Sequence, residues 1–156
     1  PLFFRPDEKD RSETLEDMYT FERPKWLKYV DEEVRSCRED VAVFDQSSFA
    51  KIRVEGPDAL KFLQRLCCGN LDVEVGRIVY TGMLNSRGAY EADVTVTREG
   101  ENKFFVVSPT AQATKDLSYM KRLIRKDESV YANDVSSSYC VLGVMGPKSR
   151  SILQVR

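Results

Sequence analysis

Asp93 is an acid set in the middle of a strand pattern. Around it Ala92, Val94 and Val96 alternate with Asp93, Thr95 and Thr97, the period of a half-buried strand. A carboxylate is a poor strand residue and is costly to bury unless paired. Glu91 shares the face of Asp93 by period two, so two carboxylates could titrate as a coupled acid/base pair. The chain contains no histidine. That excludes Ser-His-Asp and Cys-His catalysis within it, and any general base must be Asp, Glu, Lys, Tyr or Cys. Two readings of Asp93 stay open on these grounds: a solvated outward residue or an acid/base group.

The cysteines give less. Cys37, Cys67, Cys68 and Cys140 show no CxxC spacing and have no histidine to complete a ligand set, so no metal site is expected. Four free, mostly buried thiols in a reducing compartment is the reading they support.

The elements that must position Asp93 follow from the same patterns. Arg77 to Leu84, the turn Asn85-Ser86-Arg87-Gly88, and Tyr90 to Arg98 read as a hairpin, with Gly88 free to take a positive φ. Lys103 to Ser108 adds a third strand, giving an antiparallel meander. Before it, Trp26, Tyr29, Val30, Glu33, Val34 and Cys37 fall at helical spacing, with Trp26 and Tyr29 expected in the core. Val41 to Asp45 and Ala50 to Val54 read as strands. In the second, Ile52 and Val54 should face inward and Lys51 and Arg53 outward. Asp45 should brace the Ser47-Ser48 turn. Asp58 is expected to cap a helix carrying Ala59, Phe62, Leu63 and Leu66, with Gly69 ending it. A further helix runs from Ser108-Pro109-Thr110 to about Lys126, with Ala111, Leu117, Met120, Leu123 and Ile124 inward. Val130 to Val135 reads as a weak strand and Tyr139 to Met145 as a buried one. Ser149 to Val155 closes the chain as a helix. The order is αββαβββαββα, an α+β fold with largely antiparallel sheets rather than a doubly wound one.

At 156 residues, the chain holds one ordinary domain. Residues 1–23 read as an extended arm or interdomain connector, and 24–156 as part of a domain. Net charge is −1 with both signs interspersed, which gives nucleic acid no basic footprint. No apolar run approaches the roughly 20 residues of a membrane span. No glycine-rich nucleotide cradle is present. The start at Pro1 and a last helix stopped mid-face suggest a piece of a longer protein.

Several segments resemble one family when taken in order. They are Val43-Phe44-Asp45-Gln46-Ser47-Ser48-Phe49-Ala50-Lys51, Val54-Glu55-Gly56-Pro57-Asp58-Ala59, the span Gly76 to Asp93, Phe105-Val106-Val107-Ser108, and Leu142-Gly143-Val144-Met145-Gly146-Pro147-Lys148-Ser149. The series is similar to the folate-binding aminomethyltransferase family. That group includes the glycine cleavage T-protein, the carboxy-terminal half of dimethylglycine and sarcosine dehydrogenases, and the regulatory subunit of pyruvate dehydrogenase phosphatase. The forms here look more like the dehydrogenase and regulatory-subunit branch.

The resemblance implies three subdomains around a central hole that holds tetrahydrofolate, of which this chain supplies the first part. The pterin-binding glutamate would lie beyond Arg156, and an FAD-binding half before Pro1. It also implies that Asp93 is the family's essential aspartate, that Tyr80 lies against the folate, and that Thr95 lines the site. T-protein commonly has two glycines and two aspartates where this chain has Gly88-Ala89 and Ala92-Asp93. The activity implied is a tetrahydrofolate-binding one-carbon acceptor domain of a mitochondrial matrix, flavin-linked amine dehydrogenase of the dimethylglycine or sarcosine type. Its partners would be a small amine, folate and a flavin domain in the same full-length chain. An alternative is the non-catalytic regulatory subunit, partnered by the phosphatase catalytic subunit. A weaker one is an aminomethyltransferase fed by a lipoyl carrier.

Overall fold

The computed structural model describes residues 20–24 and 26–154. Most of the expected arm lies outside the described residues. The elements run α1 (Leu27–Glu39), β1 (Ala42–Asp45), β2 (Ala50–Glu55), α2 (Ala59–Leu66), β3 (Ile78–Leu84), β4 (Tyr90–Gly100), β5 (Lys103–Ser108), α3 (Ala113–Leu123), β6 (Tyr131–Asp134), β7 (Leu142–Met145) and α4 (Ser149–Leu153). Short 3₁₀ turns occupy Thr110–Gln112 and Ser136–Ser138. The order αββαβββαββα and the α+β class both hold.

The described residues divide into two units, one of 20–44 with 143–154 and one of 45–142. The larger is built on a five-stranded antiparallel sheet ordered β3-β4-β5-β2-β6. Successive side chains of a strand point to opposite faces. One face carries Met83, Ala92, Val94, Val96, Phe104, Val106, Ile52, Val54 and Ala132, all buried. Against it lie Phe62, Leu63 and Leu66 of α2 and Met120 and Tyr119 of α3. The meander of β3, β4 and β5 sits as its turn chemistry predicts.

Several expectations about individual residues fail here. Asp58 makes no side-chain cap on α2; its Oδ2 instead accepts the Ser129 N–H at 2.9 Å. That contact ties the α2 entry turn to the strand after α3. Gly69 does not close α2, which ends at Leu66 with Cys67 as its cap; its N–H donates to Thr81 Oγ1. The helix expected from Ser108 to Lys126 begins as a 3₁₀ turn and ends at Leu123. Ala111 and Leu123 are exposed, and Asp116 and Tyr119 take the inward positions beside Met120. Burying Asp116 is offset by the Ser108 hydroxyl, which donates to its Oδ2.

Arg65 on α2 grips Glu128 with both guanidinium nitrogens and also donates to the Leu123 carbonyl. The Glu128 side chain is only 2 % exposed. The Arg65 guanidinium, with help from the Arg125 N–H, lowers its carboxyl from an ordinary 4.5 to about 2. A depressed carboxyl stabilises the fold above its unfolded value and loses that contribution as pH falls through its folded value. Stability should therefore drop between about pH 4.5 and 2 in the wild type. In Glu128→Gln that segment of the profile flattens and the neutral-pH melting temperature is lower. Thermal melts across pH 2 to 7 measure both.

In the smaller unit, β1 and β7 form a two-stranded sheet. Lys148 pairs with Asp40 at 3.2 Å, and its N–H donates to the Asp40 carbonyl. No described residue of α1, β1, β7 or α4 is buried. Trp26, expected in the core, is 37 % exposed, and the β7 segment is not the buried strand its apolar run suggested. Helical and strand periods report which side is apolar, not whether anything covers it.

Candidate functional site

The second face of the large sheet is open over β3 and β4 and covered over β5 and β2. Register places Tyr80 opposite Thr95, and Thr95 opposite Val107. Asp93 lies opposite Gly82. Tyr80 is therefore diagonal to Asp93, a separation that a long aromatic side chain can bridge. Its hydroxyl donates to Asp93 Oδ2 at 2.9 Å. That bond, together with the nearby negative charge, raises the tyrosine's pKa above its ordinary value. Asp93 is exposed rather than sunk in the core.

The cover consists of the loop 46–49 and the segment 139–141. Asp45 Oδ1 accepts the Ser47 N–H at 2.9 Å, the brace that the turn residues implied. The Ser47 hydroxyl and amide lower the Asp45 pKa. Gln46 N–H donates to the Val141 carbonyl, and Val141 N–H donates to Ser47 Oγ. Tyr139 stacks edge-on against Phe105, ring centres 5.3 Å apart, and accepts the Arg53 guanidinium at its hydroxyl. Thr110 Oγ1 reaches Ser48 Oγ at 3.2 Å.

Between cover and open strands is a cavity of about 350 Å³. Phe49, Val107, Pro109 and Val141 give it apolar walls, and Tyr80, Asp93 and Thr95 form its polar rim. The three residues singled out from the sequence are thus brought to one cavity. Glu91 is not paired with Asp93: its Oε1 accepts Asn85 Nδ2 at 3.0 Å. Met83 does not wall the cavity, because its side chain points to the core and is fully buried.

Tyr90 carried no sequence signal. Its ring lies across Gly82, where a Cβ would come within 2.3 Å of it. Only a glycine leaves room for that ring beside the Asp93–Tyr80 pair. Thr81 Oγ1, 3.5 Å from the Cys68 sulfur, lowers the Cys68 pKa most, followed by the Gly82 amide, with the Tyr90 hydroxyl contributing least. Burial pushes Cys67 up to about 12. Cys68 and Cys140 are exposed, so the thiols are free but not mostly buried. Since the thiolate is the nucleophile, iodoacetamide at pH 7.5 should label Cys68 while leaving Cys67 unmodified until the fold opens. Peptide mass mapping over a time course checks the order. Among the described residues no group of three or more His, Cys, Asp or Glu side chains could hold a metal. Nor is any helix of theirs long and apolar enough to cross a membrane.

The family described as GCVT N-terminal domain matches residues 8–155. The chain belongs to that family. It is 40% identical over 155 residues to the mitochondrial pyruvate dehydrogenase phosphatase regulatory subunit of Mus musculus, covering 98% of this chain and 18% of that protein. It is 43% identical over 136 residues to the formaldehyde-forming 4-methylaminobutanoate oxidase of Paenarthrobacter nicotinovorans, covering 86% of this chain and 16% of that one. The chain thus spans less than a fifth of these curated relatives. In fold it matches the crystal structure of glycine cleavage system aminomethyltransferase T from Bartonella henselae, with a TM-score of 0.72 and 24% identity. That match covers 78% of this chain and 33% of the solved one. The fold is therefore part of a T-protein fold.

Proposed function

We propose that this chain forms part of a tetrahydrofolate-binding one-carbon acceptor domain, with Asp93 as its acid/base group and Tyr80 and Thr95 as cofactor contacts. In the full-length protein it would work beside an FAD-bearing, amine-oxidising domain of the dimethylglycine or sarcosine dehydrogenase type. The observation that carries the reading is the Tyr80–Asp93 bond at the rim of an apolar-walled cavity. A flat, partly polar ring suits walls such as Phe49, Val107 and Val141, with few polar groups to fix its orientation. A carboxylate on a rigid strand suits a nitrogen that must lose a proton as it gains a carbon. Tetrahydrofolate, when bound, supplies that nitrogen nucleophile. Tyr80 holds Oδ2 in place by donating to it, and this leaves Oδ1 open to accept a proton and to stabilise positive charge. A formaldehyde-forming oxidase among the relatives supports a one-carbon product handled nearby. A relative named mitochondrial supports the mitochondrial matrix as the compartment.

The second reading is a regulatory module of pyruvate dehydrogenase phosphatase, partnered by the catalytic subunit. It is favoured by a likeness covering nearly the whole chain. Calorimetric titration of the full-length protein with tetrahydrofolate separates the two. The acceptor reading expects one saturable site. Absence of binding would leave the regulatory reading standing.

A further inference from the structure

Alternation along β2 places Lys51 outward with Arg53, yet Lys51 is fully buried. A buried ammonium is costly unless its charge and donors are met. Its Nζ donates to the Ser47 carbonyl at 2.8 Å. Its backbone N–H donates to Ser136 Oγ at 2.9 Å, and its carbonyl accepts the Val135 N–H at 2.8 Å. Two acids, Asp45 and Asp134, have their pKa lowered first by serine hydrogen bonds and least by the charge of Lys51. Each accepts the amide of a serine two residues on, Ser47 at 2.9 Å and Ser136 at 2.8 Å. The ammonium therefore holds the base of the turn 45–49, while the main chain of the same residue bonds the turn 134–138.

Those turns lead directly to the cover of the cavity. The first carries Gln46 and Phe49. The second leads into 139–141, which is laced to the first by the Gln46–Val141 and Val141–Ser47 bonds. Gln46, Phe49 and Val141 line the cavity. Across the sheet, Lys51 lies opposite Val107 and Val107 opposite Thr95. Lys51 is thus two strands from the rim, roughly 10 Å at ordinary strand spacing.

We infer that Lys51 is a positioning residue for the cavity, anchoring through the Ser47 carbonyl the wall that faces Tyr80 and Asp93, and so setting the affinity for a ring-shaped ligand there. The identity of that ligand rests on the proposed function; the anchoring does not. Lys51→Met keeps the aliphatic stem and removes the ammonium. In the full-length protein it should weaken tetrahydrofolate binding about tenfold, the scale of one charged hydrogen bond. The calorimetric stoichiometry should stay at the wild-type value, because partial unfolding lowers the number of sites and not the affinity of those that remain. Amide exchange should quicken at 45–49 and at the laced segment 139–141 and stay unchanged in β4 and β5. Ser47→Ala removes the acceptor for Val141 N–H without touching the lysine and should shift both readouts the same way, less far. Lys51→Gln, whose neutral amide stops short of the Ser47 carbonyl, decides the matter if Lys51→Met does not fold. Should the wild type bind no tetrahydrofolate, the acceptor reading is lost while the exchange measurement still decides the anchoring. Unchanged exchange at 45–49 and 139–141 in a folded Lys51→Met, or in Lys51→Gln should the first not fold, overturns the inference.

Discussion

Asp93→Asn should slow one-carbon capture by the full-length protein about 10²- to 10³-fold, the usual contribution of a positioned acid or base. Tetrahydrofolate affinity should stay within about threefold. The substitution is nearly isosteric, and the amide oxygen can still accept the Tyr80 hydroxyl that now bonds Oδ2 at 2.9 Å. What asparagine cannot do is take a proton or oppose positive charge. The loss should therefore appear in the rate at saturating tetrahydrofolate and not in binding, the pattern of an interaction made only in the transition state. Stopped-flow capture of formaldehyde, after subtraction of the uncatalysed reaction, measures it. An unchanged rate would remove Asp93 from the chemistry whatever the affinity.

Gly56→Ala should give the largest loss of stability. Gly56 has φ +133°, where an L side chain is strained, and an added Cβ would sit 2.2 Å from the Ser129 carbonyl oxygen and 3.2 Å from the Val130 Cα. Neither atom can swing aside, because both are backbone. The turn is also tied by Gly56 N–H to the Asn102 carbonyl and by Asp58 to Ser129. Relief of the clash must break one of those bonds or shift the strand that follows. Strained backbone costs about 1–3 kcal/mol by itself, and the displaced contacts bring the expected loss to roughly 3–5 kcal/mol. Thermal unfolding followed by circular dichroism should show a melting temperature lowered by ten degrees or more. A change of a degree or two would mean that the turn relaxes freely.

Gly56 also marks how far the sequence can be read. Glu55-Gly56-Pro57-Asp58 announces a turn, since each residue type there has a local reason to bend. That Ser129 presses on the turn depends on a partner more than seventy positions away. The same division runs through the site. The hairpin, the alternation around Asp93 and the order of all eleven elements follow from local periods and turn residues. The Tyr80–Asp93 bond does not, because it runs diagonally and needs the register of β3 against β4. Lys51 was misread for a related reason. Period two puts it on the outer face, correctly, but that face is roofed by turns that bond its ammonium and its main chain. Asp116 was missed because helical patterning counts apolar residues, and the inward place is held by an acid bonded to Ser108. Trp26 failed in the opposite sense: its helix has an apolar side, yet none of its described residues is fully buried.

The contact between Gly82 and Tyr90 bears on how this sequence could have changed over time. A side chain at position 82 cannot share the space with the tyrosine ring as it now lies. Tyr90 is 68% exposed, so the ring has solvent to turn into. A larger residue at 82 would therefore displace the ring from the strand rather than exclude an aromatic at 90. Homologues that carry both should hold the aromatic away from the sheet, leaving the surface beside Asp93 and Tyr80 without that ring.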